Sequence, residues 1–292
     1  MIFDVRNLNP VNVNSGQDPT YNATAWKQYE TNRTGPITQA HGSSLAFLSL
    51  SHVTQKAYQI VQALRVQDCL NYLPSVYSKD WKLQRGYLKQ RDIIANLHAS
   101  PDAAVGEIPM VPFGLATSAL QRPLSRGTVT LDPKNKYGNP VVQWNTFQNP
   151  IDRQVVVEMV RWQRQHWARK ELAMYDPVEV SPGVQYQTDD EIINALIEQN
   201  GLAASFAHMS GSCSMMPESL GGCVSSELMV YGTKQLSIVD ASIIPLIPAT
   251  HLQATMYAVA EKAADIIKAR NAQNAHTSLM SWVPFKFSLW RT

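Results

Sequence analysis

The stretch SFAHMSGSCSMMP, residues 205–217, places His208 among small residues that carry hydroxyl and thiol groups. Further along, apolar residues over 236–239 predict a short strand that ends at Asp240. A turn with two prolines then leads to His251, which opens a predicted helix, LQATMYAVAEKAADIIKA. The order of strand, Asp240, proline turn, His251 and helix therefore gives His208 a candidate partner.

The position of His251 at a predicted helix N-terminus suits a polar site. The first amide N–H groups of a helix have no partner within it, and the helix dipole favours negative charge there. An anionic cofactor or reaction intermediate would be stabilised at this end. Spacing alone leaves a second explanation open, in which His208 and His251 are separate histidines with structural hydrogen bonds.

The helix after His251 has an apolar stripe at helical spacing. Its members are Met256, Val259, Ala260, Ala263, Ile266 and Ile267. We expect most of this stripe to face a sheet that the chain itself does not contain.

Composition limits the classes of function. The chain has 292 residues, of which 45% are hydrophobic and 16% are charged, as is typical of a globular protein. A net charge of +2 without a basic run argues against a nucleic-acid partner. No run of 18 apolar residues predicts a membrane span, and the first residues do not resemble a signal peptide.

Three cysteines, Cys69, Cys213 and Cys223, occur without CxxC spacing. This pattern predicts neither a metal site nor a disulfide framework. We expect buried free thiols, and a single Cys213–Cys223 bridge is the alternative.

Residues 1–45 are rich in Asn, Gly, Thr and Pro and show little apolar periodicity, which predicts an irregular segment. Two N-glycosylation sequons, at Asn22 and Asn32, lie in this segment. Such sequons are typical of surface positions in secreted proteins, so the chain is a candidate for secretion.

The middle of the chain alternates between helical and strand patterns, and a capping box at Thr188 and Glu191 marks one helix start. The predicted elements are helices over 51–71 and 77–98, strands over 108–115, 127–132 and 141–147, a helix from about Asp152 with a stripe at Val155, Val156, Met159, Val160 and Trp162, and a helix from Thr188 to Gln199.

The region after residue 205 resembles the C-terminal signature of the glucose–methanol–choline (GMC) oxidoreductases. The resemblance rests on His208-Met-Ser-Gly-Ser-Cys-Ser-Met-Met-Pro217, Gly221-Gly222, Val230-Tyr231-Gly232, Leu236-Ser-Ile-Val-Asp240-Ala-Ser242, Pro245, His251 and Ala260-Glu-Lys-Ala-Ala-Asp265, with a looser match at Pro123-Leu-Ser-Arg-Gly-Thr-Val-Thr-Leu131 and Asn149-Pro-Ile-Asp152. Within the family, the tail most resembles fungal aryl-alcohol oxidases and dehydrogenases, with glucose oxidase a relative.

The resemblance implies FAD as cofactor and an alcohol as substrate. It assigns His208 as the base that takes the hydroxyl proton while hydride passes to flavin N5. It assigns His251, which is His or Asn in the family, as a hydrogen-bond partner of the substrate oxygen. Asp240 and Ala241 match a pair near the FAD chain, and His251 is followed by a flavin-contacting pair, Leu252 and Gln253.

Two departures from the family pattern qualify this interpretation. Cys223-Val-Ser225 replaces the usual Val-Val-Asp, which removes an aspartate. No G-x-G-x-x-G motif for the FAD diphosphate occurs in the 292 residues. We therefore expect the chain to be a C-terminal half, separated from an N-terminal Rossmann-like, FAD-binding half that would also carry any signal peptide.

The predicted fold is α+β. A substrate-binding domain, an antiparallel sheet backed by helices, is expected over 1–204, with its irregular start at 1–45. Residues 205–270 are expected to complete an FAD-binding domain, and 271–292 form an unassigned tail.

The predicted function is oxidation of a CH–OH donor to a carbonyl, with a small-molecule alcohol as substrate, an aromatic one being favoured, and oxygen or another electron acceptor as partner. Two alternatives remain at this point. The same fold could catalyse non-oxidative lyase or cyclase chemistry, or the chain could be a catalytically silent fragment.

Overall fold

A computed structural model of the chain describes residues 2–7, 19–38, 45–109 and 117–280. The chain divides into two compact units. The first comprises residues 1–207 and 246–250, and the second comprises 208–245 and 251–292.

Helices and short strands alternate along the first unit. In chain order they are β1 (Ile2–Val5), α1 (Pro19–Asn32), β2 (Leu45–Ser49), α2 (Leu50–Val53), α3 (Ala57–Val66), α4 (Ser75–Ser78), α5 (Trp81–Ala99), β3 (Ala104–Pro109), β4 (Ala119–Leu120), β5 (Thr128–Thr130), β6 (Val141–Gln143), α6 (Pro150–Trp167), β7 (Pro177–Ser181) and α7 (Asp189–Glu198).

The strands form small antiparallel sheets, which confirms the predicted α+β class. Strand β1 pairs with β7, β3 lies between β2 and β4, and β5 pairs with β6. Within the described residues the sheet is therefore divided into three pieces, where the sequence predicted one sheet. No helix in these residues combines the length and apolar composition that crossing a bilayer requires.

Helix α6 organises the core of the first unit. Val155 and Met159 pack into one apolar cluster with α2, α3 and α5, and Val160 packs into a second cluster with Phe3 and α7. Val156 and Trp162 are partly buried against these clusters. The predicted apolar stripe is thus confirmed, and α6 separates two cores because its buried face is wide.

Two polar side chains fix the start of α6. Asn149 caps the helix by accepting the amide of Ile151 at 3.0 Å. The buried carboxylate of Asp152 accepts the amides of Leu124 and Ser125 at 2.8 and 2.7 Å. Burial raises the pKa of Asp152, and these two donors oppose the shift. The Asn149–Asp152 motif therefore ties α6 to the loop before β5.

The capping box of α7 is confirmed. The Thr188 hydroxyl accepts the amide of Glu191, and the Glu191 carboxylate accepts the amide of Thr188 at 2.9 Å. The amide of Thr188, as a donor to the Glu191 carboxylate, lowers the pKa of Glu191. The helix they start buries Ile192, Ile193 and Leu196.

The prediction of an irregular segment over 1–45 is wrong for the part of it that the structure describes. Residues 2–5 form β1, and residues 19–32 form α1, which buries only Ala25. A helix that buries one side chain has no apolar periodicity to detect, and local bonds such as Thr24 Oγ1 to the Thr20 carbonyl (2.9 Å) accompany it.

Other element boundaries differ from the predictions. The helix predicted over 51–71 is interrupted after Val53, because Thr54 adopts an extended conformation at the end of α2. The strand predicted over 108–115 begins earlier, as β3, and residues 110–116 lie outside the described residues. The predicted strands at 127–132 and 141–147 are confirmed in part as β5 and β6.

The second unit consists of loops, two 3-10 turns and the long helix α8 (Leu252–Met280). Its small core contains Cys213, Val224, Leu228, Ile243 and Ala263. Helix α8 extends into the predicted tail, whose residues 281–292 lie outside the described residues.

Two predictions for the second unit need correction. Residues 236–239 do not form a strand, because only Ser237 pairs, in an isolated bridge with Met229. The apolar stripe of α8 packs in part without an external sheet, since Val259, Ala263 and Ile266 lie on the loop core of the same unit. Met256 and Ile267 are half-buried outside that core, and for them the external sheet stays a prediction. Ala260, predicted to be buried, is exposed.

His98 in α5 makes the stability of the first unit depend on pH. Its side chain is 1% exposed. Burial lowers the pKa of His98 from 6.5 to about 4, with a smaller opposing effect from the backbone of Arg122 and a supporting one from its charge. Between these two pH values the unfolded chain binds the proton and the folded chain does not. The contribution of neutral His98 to the free energy of unfolding is therefore fully present above pH 6.5. As the pH falls towards 4, about 3 kcal/mol of the free energy of unfolding is lost.

Denaturant unfolding at a series of pH values between 7 and about 4 tests this prediction. His98→Leu should remove most of this pH dependence, whereas His52→Leu, at an exposed position, should leave it unchanged. Parallel stability curves for the wild type and His98→Leu would show that His98 is not the titrating group.

Candidate active site

The structure brings the two candidate histidines together. The ring centroids of His208 and His251 are 5.2 Å apart, and their planes are inclined by 43°. His251 is the residue before α8 and is exposed, and His208 is half-buried. Both belong to the second unit, so one small scaffold positions both rings.

The segment that carries His208 is held by a row of backbone hydrogen bonds. The amides of Gly211, Cys213 and Met215 donate to the carbonyls of Ala241, Ser242 and Ile243, at 3.2, 2.9 and 2.8 Å respectively. Every second residue over 211–215 thus donates a backbone hydrogen bond to one of three consecutive residues, 241–243. The loop after His208 is therefore fixed against residues 241–243.

Asp240 stabilises the segment that receives these bonds. Its Oδ1 accepts the amide of Ser242 at 2.8 Å and caps the 3-10 turn Ala241–Ile243. Ala241 in turn accepts the amide of Gly211. In the structure, both residues that the resemblance places near the FAD chain also shape the loop that holds His208.

A disulfide joins Cys213 to Cys223, with their Cα atoms 4.9 Å apart. The expectation of three free thiols is therefore wrong, and the alternative holds, since Cys69 alone is recorded as free and is buried. The number of residues between the two cysteines does not predict this bridge, because the conformation of the turn between them is what brings them together. A usable signal was present, since Cys223 follows the Gly-Gly pair where the family has valine.

The Gly221–Gly222 pair makes this turn possible. Gly221 has φ of 73°, a left-handed conformation that favours glycine. A Cβ atom on Gly222 would collide with the backbone of Met216. Only glycine lets the two arms of the turn approach closely enough for the cysteines to meet.

Arg270 anchors the loops to α8 at a second place. Its Nη2 donates to Ser237 Oγ at 2.9 Å, and its Nη1 donates to the Glu227 carbonyl at 3.3 Å. The long helix is therefore held by apolar packing at Ala263 and by polar contacts near its middle.

The described residues contain no group of three or more His, Cys, Asp or Glu side chains arranged to hold a metal ion.

The residues that form this site match a known protein family. Residues 123–260 match the family model described as GMC oxidoreductase, C-terminal part. The chain belongs to the GMC oxidoreductase family. The matched region runs from the loop before β5 through His208 to the first turns of α8, so it includes the histidine pair.

Curated relatives of this GMC oxidoreductase are fungal. The dehydrogenase xptC of Emericella nidulans is 34% identical over 80% of this chain and 37% of its own length. The versicolorin B synthase stcN of the same organism is 38% identical over 52% of this chain and 24% of its own length. The chain thus spans well under half the length of these relatives.

Two solved structures resemble the chain closely. An FAD-dependent oxidoreductase from Chaetomium thermophilum is 30% identical, with a TM-score of 0.85 over 93% of this chain and 47% of that chain. A fungal aryl-alcohol oxidase is 28% identical, with a TM-score of 0.78 over 91% of this chain and 46% of that chain. The fold of the C-terminal half of such enzymes is therefore present.

The residues at the start of α8 fit one end of FAD. The backbone amides of the first helical turn, at Leu252 and Gln253, and the two imidazoles form a set of hydrogen-bond donors. Buried Leu252 (5% exposed) fixes the helix end. Such donors suit the carbonyl and ring-nitrogen acceptors of a flavin ring.

Proposed function

We propose that this GMC oxidoreductase chain supplies the catalytic histidines for oxidation of an alcohol to a carbonyl. The observation that carries the proposal is the approach of His208 and His251 to a ring-centroid distance of 5.2 Å at the N-terminal end of α8. Relatives named dehydrogenase, FAD-dependent oxidoreductase and aryl-alcohol oxidase support it.

The two imidazoles divide the work on one hydroxyl group. His208 accepts the hydroxyl proton on a ring nitrogen, and His251 donates a hydrogen bond to the substrate oxygen as negative charge develops on it. A positioned base contributes about 10²–10⁴-fold to a rate. A donor aimed at developing charge contributes a comparable factor.

FAD, when bound, accepts the hydride that leaves the carbinol carbon. Leu252 and Gln253 would hold the ring through their amides, and Asp240 and Ala241 would lie towards the rest of the cofactor. Oxygen or another electron acceptor would be the second partner of the reaction. The substrate is a small alcohol, and we favour an aromatic one because the aryl-alcohol oxidase structure is among the similar structures.

Flavin bleaching by a panel of alcohols under anaerobic conditions tests this function in the FAD-loaded enzyme. We expect benzylic alcohols to bleach the flavin faster than glucose. Bleaching by glucose alone would reverse the order of substrates, and no bleaching by any CH–OH donor would count against oxidation.

A second candidate function follows from the versicolorin B synthase relative. The same histidine pair, as base and hydrogen-bond donor, could catalyse a lyase or cyclase reaction without net oxidation. Product formation with the flavin still oxidised and no acceptor consumed would favour this function.

We predict that His251→Ala also slows flavin reduction and that its effect is not independent of His208. Because both groups act on one hydroxyl, the double variant should cost less than the product of the single losses. His251→Asn, which keeps a donor, should recover part of the rate. Full multiplicativity in this double-mutant cycle would show that the two rings do not share a substrate oxygen.

We also propose that the protein is secreted and carries a glycan on Asn32. Asn32 is exposed at the last residue of α1, whereas Asn22 is half-buried inside that helix. The Cys213–Cys223 disulfide supports an oxidising compartment.

Glycosidase treatment of protein produced by the source organism tests this proposal. The mass shift should disappear in Asn32→Gln and persist in Asn22→Gln. An unmodified Asn32 peptide from natively produced protein would contradict it.

A further inference from the structure

The Cys213–Cys223 disulfide lies in the core that connects the His208 segment to α8. Cys213 is buried with Ile243 and Ala263, and the half-buried Cys223 packs against the same cluster. The Cys223 amide donates to the Ser214 carbonyl at 2.9 Å, beside the bond from the Cys213 amide to Ser242. The disulfide thus joins the two arms of the turn, at Cys213 and Cys223, in the cluster where they pack with Ala263 of α8.

Distances along α8 and along the segment from His208 to Cys213 indicate how the disulfide affects the histidine pair. Val259 and Ala263 lie eight and twelve residues after His251, which is about 12–18 Å along a helix. Four residues lie between His208 and Cys213, and the five steps from one to the other span at most about 17 Å. The segment can therefore reach from the cluster that Cys213 shares with Val259 and Ala263 to the position of His208 beside His251. Because the segment is short, the position of Cys213 limits where the His208 imidazole can lie.

We infer that the Cys213–Cys223 disulfide positions His208 against His251. This inference rests on the proposed function only for its catalytic consequence, because the geometry can be measured without turnover. The competing explanation is that apolar packing and the backbone bonds to residues 241–243 hold the segment by themselves, and that the sulfur atoms only fill the core. The bridge opens when a dithiol reductant gives up two electrons and two protons, which yields two cysteine thiols and a reductant disulfide.

Proton NMR on the 292-residue chain with labelled histidines tests the geometry. The oxidised wild type should show a cross-relaxation peak between the ring protons of His208 and His251, assigned through His208→Gln and His251→Gln. The double variant Cys213→Ala/Cys223→Val keeps apolar packing without the covalent link and should lose at least three quarters of the peak intensity. Cys69→Ser, at the buried free cysteine, is the matched control and should keep it.

Retention of the wild-type peak in the folded double variant would overturn the inference. If the double variant does not fold, reduction of the folded wild type decides. The peak should disappear when both thiols become alkylatable and return on reoxidation. A peak that survives complete reduction would likewise overturn the inference.

The catalytic consequence is measured separately in the FAD-loaded enzyme. Loss of the bridge should lower kcat about tenfold or more with KM changed less than threefold, since a displacement of about 1 Å can cost 10²-fold. An unchanged kcat, with the peak lost, would overturn a positioning role in catalysis. If His208→Ala is also without effect, it is the proposed function that fails, and the geometric result still stands.

Discussion

In the complete, FAD-loaded enzyme, replacement of His208 by alanine should lower the rate of flavin reduction by at least about a hundredfold while FAD stays bound. The ring lies 5.2 Å from that of His251, and its loop is fixed by bonds to residues 241–243 that do not involve the imidazole. The substitution therefore removes the base without removing the scaffold. A base contributes about 10²–10⁴-fold, which sets the lower limit of the loss.

Stopped-flow reduction by a good substrate measures this effect directly. His52→Ala, at an exposed position in the first unit, is the matched control and should reduce normally. The base assignment is wrong if His208→Ala stays within about threefold of the wild type.

Local signals predicted the parts of the fold that depend on neighbouring residues. The Thr188–Glu191 capping box and the Asn149-Pro150 start of α6 satisfy amides within one helical turn, so sequence spacing is enough to find them. The apolar stripe of α6 was also visible, because one helix face is buried along its whole length. The layout of the sequence made His251 a candidate partner of His208, 43 residues away, and the family resemblance was needed to favour their approach over two separate histidines.

Features that depend on the three-dimensional course of the chain were missed or were left as alternatives. Helix α1 buries only Ala25 and so carries no stripe. The Cys213–Cys223 bridge depends on the left-handed Gly221 and on the close approach at Gly222, which cysteine spacing does not encode. The segment at 236–239 has strand composition but pairs only at Ser237, because its neighbours are loops that offer no continuous edge.

The isolated 292-residue chain should fold but should not retain FAD. The core around Cys213 and Ala263 uses the apolar face of α8 within the second unit, and the disulfide closes an 11-residue loop that stabilises it by about 3 kcal/mol. Within the unit Ala263 is buried and Val259 and Ile266 are partly buried, so their packing on this core does not depend on an external sheet. We expect a cooperative melting transition from the purified chain.

Binding of FAD requires more than this chain offers. Its sequence has no G-x-G-x-x-G turn for the diphosphate, so the contacts proposed for the cofactor are the two imidazoles, the amides at the start of α8 and the segment at Asp240 and Ala241. These contacts act mainly on the ring and cannot offset the entropy lost when a long, flexible cofactor is ordered. We expect binding weaker than about 1 mM, so that gel filtration after addition of excess FAD yields a colourless protein peak. A folded chain that elutes with stoichiometric flavin absorbance would show that it is a self-sufficient flavoprotein, because the ring contacts alone would then be strong enough to hold the cofactor.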